Sequence, residues 1–339
     1  MLYIHQFPDW THFRFDARKV VNALGEARLQ EGRLIGTMET CGFWELEQSL
    51  LVQDIVSNYA IDGISISSES VLKDLKQLQN SGNSMVRNYM GALLNAFNPI
   101  TKERLFAWHA SMGDNRVASF RQKANTVRFQ QGDMLLEFDG PNPERLEQEM
   151  ERLIQWIETA KMDGVIKAAI AHFWFITLRP FDDANGKLAR LITVLMLARS
   201  EQTTRCQFAL NQAILERRED YFKILNESQR GNGDLTEWIL WFIDSLLYAM
   251  ESTQKQIAQE QRRVAFYNNH AGEALDEKDQ KLLAALFAGN LPRNFTAKEV
   301  AALVGASHDT ALRTIQRLIS KGILKADSKG GRSQRYSLA

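Results

Sequence analysis

Apolar residues recur every third or fourth position through most of this chain, the period of an amphipathic helix. The spacing predicts helices over residues 15–33, 45–60, 146–160, 164–178, 187–199 and 235–259. Boundary residues agree with the pattern. Asn142-Pro143-Glu144 places a cap and an N1 proline before the third of these, and Asp234 or Thr236 can cap the last. Gly42 and Gly63 stand where helices should stop. One stretch departs from the helical period: residues 127–138 read as two short strands around Gln131-Gly132-Asp133. A lone hairpin is marginal in water, so this one must lean on the helical body. Ser81-Gly82-Asn83-Ser84 reads as a mobile loop.

A new pattern begins after residues 268–272. Helices are expected at 277–288, 296–303 and 308–320, and a glycine-tipped ribbon follows through Ser328-Lys329-Gly330-Gly331-Arg332 to residues 335–338. Three helices and a ribbon form the winged-helix layout. Net charge is zero overall, but residues 291–339 hold nine Lys/Arg against three Asp/Glu, a local +6 on an acidic body. Nucleic acid is the first partner to consider for such a tail. On the 308–320 helix, His308, Thr310, Arg313, Gln316 and Arg317 are expected to face a DNA groove, with Lys329, Arg332 and Arg335 of the ribbon near phosphates. A module for protein contact or homodimer formation is the alternative. Apolar residues make up 45% of the chain, enough for a sizeable core without staples, and the two cysteines, Cys41 and Cys206, have no ligand-like spacing. With no signal-like N-terminus and no membrane-length apolar run, the expectation is a cytoplasmic protein that meets no membrane.

The most informative run is Leu178-Arg179-Pro180-Phe181-Asp182-Asp183-Ala184-Asn185-Gly186-Lys187-Leu188-Ala189-Arg190. Pro180 ends one helix, and Asn185-Gly186 opens the next with amides that have no intrahelical partner. Lys187 and Arg190, three apart, share one face of that first turn. Helix amides, an ammonium and a guanidinium together make an anion site suited to phosphates, and Asp183 could hold a divalent cation there. The competing reading is a helical hairpin with a solvated polar corner.

This run resembles the Fic family motif His-Pro-Phe-x-Asp/Glu-Gly-Asn-Gly-Arg-x-x-Arg, with Pro180, Phe181, Asp183, Asn185, Gly186 and Arg190 in register. Flanking segments around Pro8-Asp9-Trp10, residues 32–36, 171–177 and 219–222 resemble a bacterial subgroup with an N-terminal helical extension. The resemblance implies a mainly α fold. Residues 1–85 would form the extension, 86–260 the Fic core with its hairpin "flap", and 275–339 the winged helix. It implies ATP or ADP and Mg²⁺ as ligands, and AMP transfer to a hydroxyl of a target protein. Asn185, Gly186, Lys187 and Arg190 would hold the nucleotide, with Tyr221 near the adenine and Asp183 on the metal. Leu135, Leu136 and Phe138 of the flap would dock the target by strand pairing.

Four positions depart from the pattern. Arg179 stands where the family's proton-accepting histidine should be, and a guanidinium cannot accept a proton at physiological pH. Loss of a general base costs about 10²–10⁴ in rate. Ala184 replaces a glycine and Lys187 an arginine. In the extension, Asn58-Tyr59-Ala60-Ile61-Asp62-Gly63 matches the subgroup's inhibitory Ser/Thr-x-x-x-Glu-Gly. Asp62 reads equally as a shortened partner for Arg190 or as a helix-end residue beside a C′ glycine. His172, two turns before Arg179, is expected to be structural and not a replacement base. His5, His12, His109 and His270 have no partners in ligand spacing. The leading function is a nucleotide-binding, DNA-binding protein of this family with AMP transfer lost or greatly reduced. The alternative is a working adenylyltransferase or related phosphoryl transferase with altered catalytic residues.

Overall fold

The computed structural model describes residues 2–41, 44–77, 84–111, 119–131, 134–327 and 334–339. Two compact units divide the chain, Met1–Gln254 and Lys255–Ala339. In chain order the first holds α1 (Ala17–Cys41), α2 (Trp44–Ile61), α3 (Ser68–Lys76), α4 (Ser84–Leu94), α5 (Lys102–Ser111), the hairpin β1 (Thr126–Gln131) and β2 (Met134–Asp139), α6 (Leu146–Thr159), α7 (Gly164–Leu178), α8 (Asn185–Ser200), α9 (Leu210–Glu216) and α10 (Arg218–Gln229). The long α11 (Thr236–Asn269) contributes to both units. The fold is mainly helical with a small hairpin, as the periodicity predicts. The turn expected at Gln131-Gly132-Asp133 lies largely outside the described residues, as do Gly42 and the loop expected at Ser81–Asn83, whereas Ser84 already opens α4.

Helix α7 is the hub. It is apolar nearly all round, with every residue but Gly164 and Lys167 buried, so neighbours must cover each of its faces. Asp163 caps it, accepting from the amides of Val165 (2.8 Å) and Ile166 (3.4 Å). Gly164 is required by close approach: a Cβ there would sit 2.3 Å from Ser200 Oγ at the end of α8. From α11, buried Trp238 donates Nε1–H to the carbonyl of Ala169 at 2.8 Å. The antiparallel α7–α8 pair is thus packed closely where α7 begins and α8 ends, and the corner between them carries the motif.

Two further features position that corner. Helix α2 packs on α9 and touches α8, bringing its C-terminal turn, Asn58 to Asp62, against the start of α8. Strand β2 pairs antiparallel with β1 in the register Phe129↔Leu136 and Val127↔Phe138. Its far edge is held by the N-terminal segment: Tyr3 Oη donates to the carbonyl of Glu137 (3.1 Å), and His5 Nε2 lies 2.7 Å from that of Asp139.

The second unit contains α12 (Glu277–Phe287), α13 (Ala297–Val304), α14 (His308–Ser320) and the antiparallel pair β3 (Leu324–Ala326) and β4 (Tyr336–Leu338). Leu282, Phe295, Val300, Ile315, Leu318 and Tyr336 are among the residues of its own core. Capping boxes at Asp276/Asp279 and Thr296/Glu299 and a cap at Ser307 start the three helices where the sequence places them. On α14 the buried side is Ala311, Thr314, Ile315 and Leu318, and Leu312 and Ile319 beside it are half-buried.

Candidate functional site

The motif corner opens onto a cavity of about 620 Å³. Its wall brings together segments far apart in sequence: Asp62 just after α2, Phe129, Leu136 and Phe138 from the hairpin, Arg179 and residues 182–187 of the corner, Arg190 of α8, and Arg218, Tyr221 and Phe222 of α10. The corner is built on Phe181 and Asn185. Asn185 closes the loop on itself, its Oδ1 accepting from the Phe181 amide (3.0 Å) and its Nδ2 donating to the Phe181 carbonyl (2.8 Å). The Phe181 ring is fully buried and stacks on His109 at 4.1 Å with 9° between planes. Truncating such a ring costs about 3–5 kcal/mol, so this aromatic is the anchor that holds the turn in place.

Arg190 is 1% exposed, and a guanidinium so placed needs full pairing. Its Nε donates to Asn58 Oδ1 (2.6 Å) and one terminal nitrogen donates to both the Asn58 carbonyl (2.9 Å) and Asp62 Oδ2 (3.0 Å). The same Asp62 oxygen lies 3.3 Å from Lys187 Nζ. The shortened acid therefore reaches, and it bridges both motif cations. Burial pushes the Asp62 carboxyl up, but Arg190 and Lys187 together outweigh it and hold the group below its ordinary range. Gly186 makes room for this contact, since a Cβ there would lie 3.1 Å from both Arg190 Nη1 and Asp62 Oδ1.

Arg179 has left-handed backbone (φ 46°, ψ 60°) just after α7, and its Nε donates to Asn125 Oδ1 at 2.7 Å. Burial lowers its pKa to about 10, leaving it cationic at neutral pH. His172 is fully enclosed: Nδ1 is 2.8 Å from Thr193 Oγ1 and Nε2 is 2.9 Å from Tyr221 Oη. Thr193 already donates its hydroxyl proton to the Ala189 carbonyl, so it accepts from Nδ1–H, and Tyr221 donates to Nε2. Burial, with Arg190 nearby, lowers the His172 pKa to about 3. It is a neutral structural group outside the cavity wall. Tyr221, whose hydroxyl burial pushes up to about 12, lines the cavity while its hydroxyl is spent on His172.

Asp183 lines the cavity, and its Oδ1 lies 3.2 Å from His109 Nε2, a partner that linear spacing did not reveal. No group of three or more His, Cys, Asp or Glu side chains suited to a metal occurs among the described residues. Asp183 fits the single-carboxylate manner in which Mg²⁺ is held when phosphates and waters complete its shell. On the flap, Leu136 and Phe138 face the cavity while Leu135 is 54% exposed. Four residues that sequence reasoning passed over belong to the site. Asn125 orients Arg179, while Phe129 and Phe222 stack at 4.0 Å beneath the Arg218 guanidinium, which also donates to the Ile61 carbonyl at 2.7 Å.

The tail residues are spread differently from expectation. His308, Arg313 and Gln316 are exposed on α14, Thr310 is half-buried, and Arg335 is exposed with one nitrogen on the Asn294 carbonyl (3.0 Å). Arg317, expected to face a groove, instead pairs with Asp279 (2.6 Å) and Asp276 (2.6 Å). Lys329 and Arg332 lie outside the described residues.

Residues 99–197 match the family model described as the Fic/DOC family, and residues 3–78 match one described as a domain of unknown function, DUF4172. The chain is 33% identical over 66 residues to protein adenylyltransferase fic-1 of Caenorhabditis elegans, a stretch covering 19% of this chain and 13% of that protein. It is 28% identical over 106 residues to a uridine 5'-monophosphate transferase of Xanthomonas campestris pv. campestris, covering 27% of this chain and 20% of that one. The crystal structure of a Fic family protein from Desulfovibrio desulfuricans aligns with a TM-score of 0.58 at 19% identity, over 95% of this chain and 96% of that one. Residues 99–197 thus form a Fic/DOC family domain within the chain. The chain matches a fifth or less of the length of these two curated relatives. No helix among the described residues is long and apolar enough to cross a membrane.

Proposed function

We propose that the cavity binds ATP or ADP with Mg²⁺ and that transfer of AMP to a protein hydroxyl is lost or greatly reduced. The observation that carries this reading is a corner that keeps a helix N-terminus and two cations at the cavity, with a third cation in the base position. Helix α8 points its N-terminal amides, Lys187 and Arg190 at the cavity, while Arg179, cationic at neutral pH, stands beside them. Asp183 would hold the metal, whose chemistry is to neutralise phosphate charge. Asp62 occupies Lys187 and Arg190 together, as an inhibitory residue would, so nucleotide phosphates compete with it. Purified protein incubated with labelled ATP, Mg²⁺ and a cell extract should transfer little or no label. Arg179→His, combined with Asp62→Ala to free the phosphate seat, should restore transfer. Robust labelling by the unaltered protein, abolished by Arg190→Ala, would instead establish a working transferase.

A second activity, DNA binding, is favoured by the C-terminal unit. Residues 255–339 hold 14 Lys/Arg against 8 Asp/Glu, a surplus of +6, and the exposed side of α14 presents His308, Arg313 and Gln316. The winged-helix arrangement would place that helix in the major groove of a duplex.

A further inference from the structure

The three cations of the motif corner, Arg179, Lys187 and Arg190, are not equally engaged. Arg190 is held by Asn58 and Asp62, and Lys187 by Asp62. Arg179 uses Nε for Asn125, and its two terminal nitrogens make no hydrogen bond or ion pair with a described residue, although the side chain lines the cavity. The surroundings do little to neutralise it. Asp62 attracts it from a distance, and Arg121 opposes. Among the described residues the Arg121 guanidinium makes no ion pair with a carboxylate either, its nitrogens being spent on the carbonyls of Arg179 (2.8 Å), Lys123 (2.7 Å) and Pro141 (2.6 Å).

A half-buried guanidinium without an anion is costly unless a ligand supplies one. The fork is also preorganised. The Arg179 amide donates to the Phe175 carbonyl at 3.0 Å, and Arg121 fixes the next turn through the Arg179 and Pro180 carbonyls. Asn125 is locked in turn, its Nδ2 donating to the Asp182 carbonyl at 3.1 Å. What remains is a planar pair of N–H donors held at one wall of the cavity that α8 opens onto, the geometry that grips two oxygens of one phosphoryl group.

We infer that Arg179 is a third phosphate-binding cation of this site and that Asn125 is its positioning residue. The place of a proton acceptor is thereby given over to ligand capture. This inference rests on the nucleotide-binding reading above and names a further contact within it. A phosphoryl group seated on Arg179 also explains why a cation can be kept where proton removal would need a neutral base.

Calorimetric titration of the full chain with ATP and with adenosine tests it, in the unaltered protein and in an Asp62→Ala background. Arg179→Ala should weaken ATP about tenfold or more and leave adenosine unchanged. Arg179→Lys, a point charge without the fork, should recover only part of the loss. Asn125→Ala should weaken ATP about threefold through lost preorganisation, and should have no effect once Arg179 is alanine. Asn125→Asp, of the same size, should weaken ATP more than Asn125→Ala does, because its carboxylate would occupy the fork. If Arg179→Ala binds ATP as tightly as the unaltered protein while Arg190→Ala loses it, the inference fails and the nucleotide reading stands. If neither the unaltered protein nor Asp62→Ala binds ATP at millimolar concentration, both fall.

Discussion

Ala184 has φ 56° and ψ 8°, a left-handed conformation that its Cβ makes unfavourable by about 1–2 kcal/mol. Its carbonyl nonetheless accepts from the Leu188 amide at 3.0 Å, so the first turn of α8 depends on this strained residue. Ala184→Gly should relieve the strain. Because glycine also widens the unfolded ensemble, the net stabilisation should be about 0.5–1 kcal/mol. Thermal unfolding would register this as a higher midpoint, and an unchanged or lower midpoint would show that the strain is already relieved elsewhere. Much of the site at this scale was legible in the run from Leu178 to Arg190, because one continuous stretch holds the turn, the helix start and both cations. The Asp62 contact was legible only as one of two equal readings, because its reach across 128 residues depends on where α2 docks. Asn125 and Phe129 gave no local signal. Arg218, Tyr221 and Phe222, at three- and four-residue spacing, do share one face of α10, and that stripe could have pointed to all three.

Among the elements, the long periodic helices were readable, while α3, α4 and α5 were not. Of the nine residues of α3 only Val71 is buried, and α5 buries Leu105, Trp108 and His109 alone, too few positions to establish a period. In the tail, periodicity marked α14 but could not tell which basic residues on its outer side were already engaged. Arg317 bridges the N-cap Asp276 and Asp279, whose side chain is wholly buried, so it ties α14 to the start of α12. Arg317→Ala leaves the Asp279 carboxylate without its cation and should destabilise the second unit by about 2 kcal/mol or more. Arg313→Ala, on the exposed side, should leave unfolding unchanged and weaken duplex DNA binding. A loss of about 1–3 kcal/mol is expected if the residue reads a base, and a smaller, sequence-independent loss if it meets a phosphate. Thermal melts together with anisotropy titrations at low salt separate the two roles. Equal destabilisation by both variants would remove the distinction.

At the scale of the whole first unit, the ends of α7 and α8 remote from the motif are tied to α1 through one arginine. Arg28 contacts Asp163 Oδ2 through Nε (3.2 Å) and a terminal nitrogen (2.8 Å), and it also reaches Glu31 (2.9 Å), Glu201 and Ser200 Oγ (2.8 Å). Three carboxyls around one guanidinium cannot all ionise cheaply. Burial first, then the neighbouring Glu201, raises the Glu31 pKa well above the ordinary carboxylate range, and Arg28 only partly offsets this. Asp54, fully buried where α2 meets α9, is likewise raised to about 7 by burial despite accepting from the Asn211 amide (2.6 Å) and side chain (2.8 Å). Both groups therefore hold protons in the folded chain at pH values where the unfolded chain has released them. Their contribution to stability is complete below the unfolded carboxylate pKa and is lost as pH rises through the folded values. Stability should thus be greatest at mildly acid pH and fall between about pH 5 and pH 8, with a slope of up to about 1.4 kcal/mol per pH unit for each group that the folded chain keeps protonated while the unfolded chain has ionised it. Glu31→Gln keeps the shape and removes the titration, so urea unfolding at pH 5.5 and 8.5 should show a smaller fall for the variant than for the unaltered chain. Parallel falls in the two proteins would mean that Glu31 is ionised throughout and that Arg28 satisfies all three carboxylates.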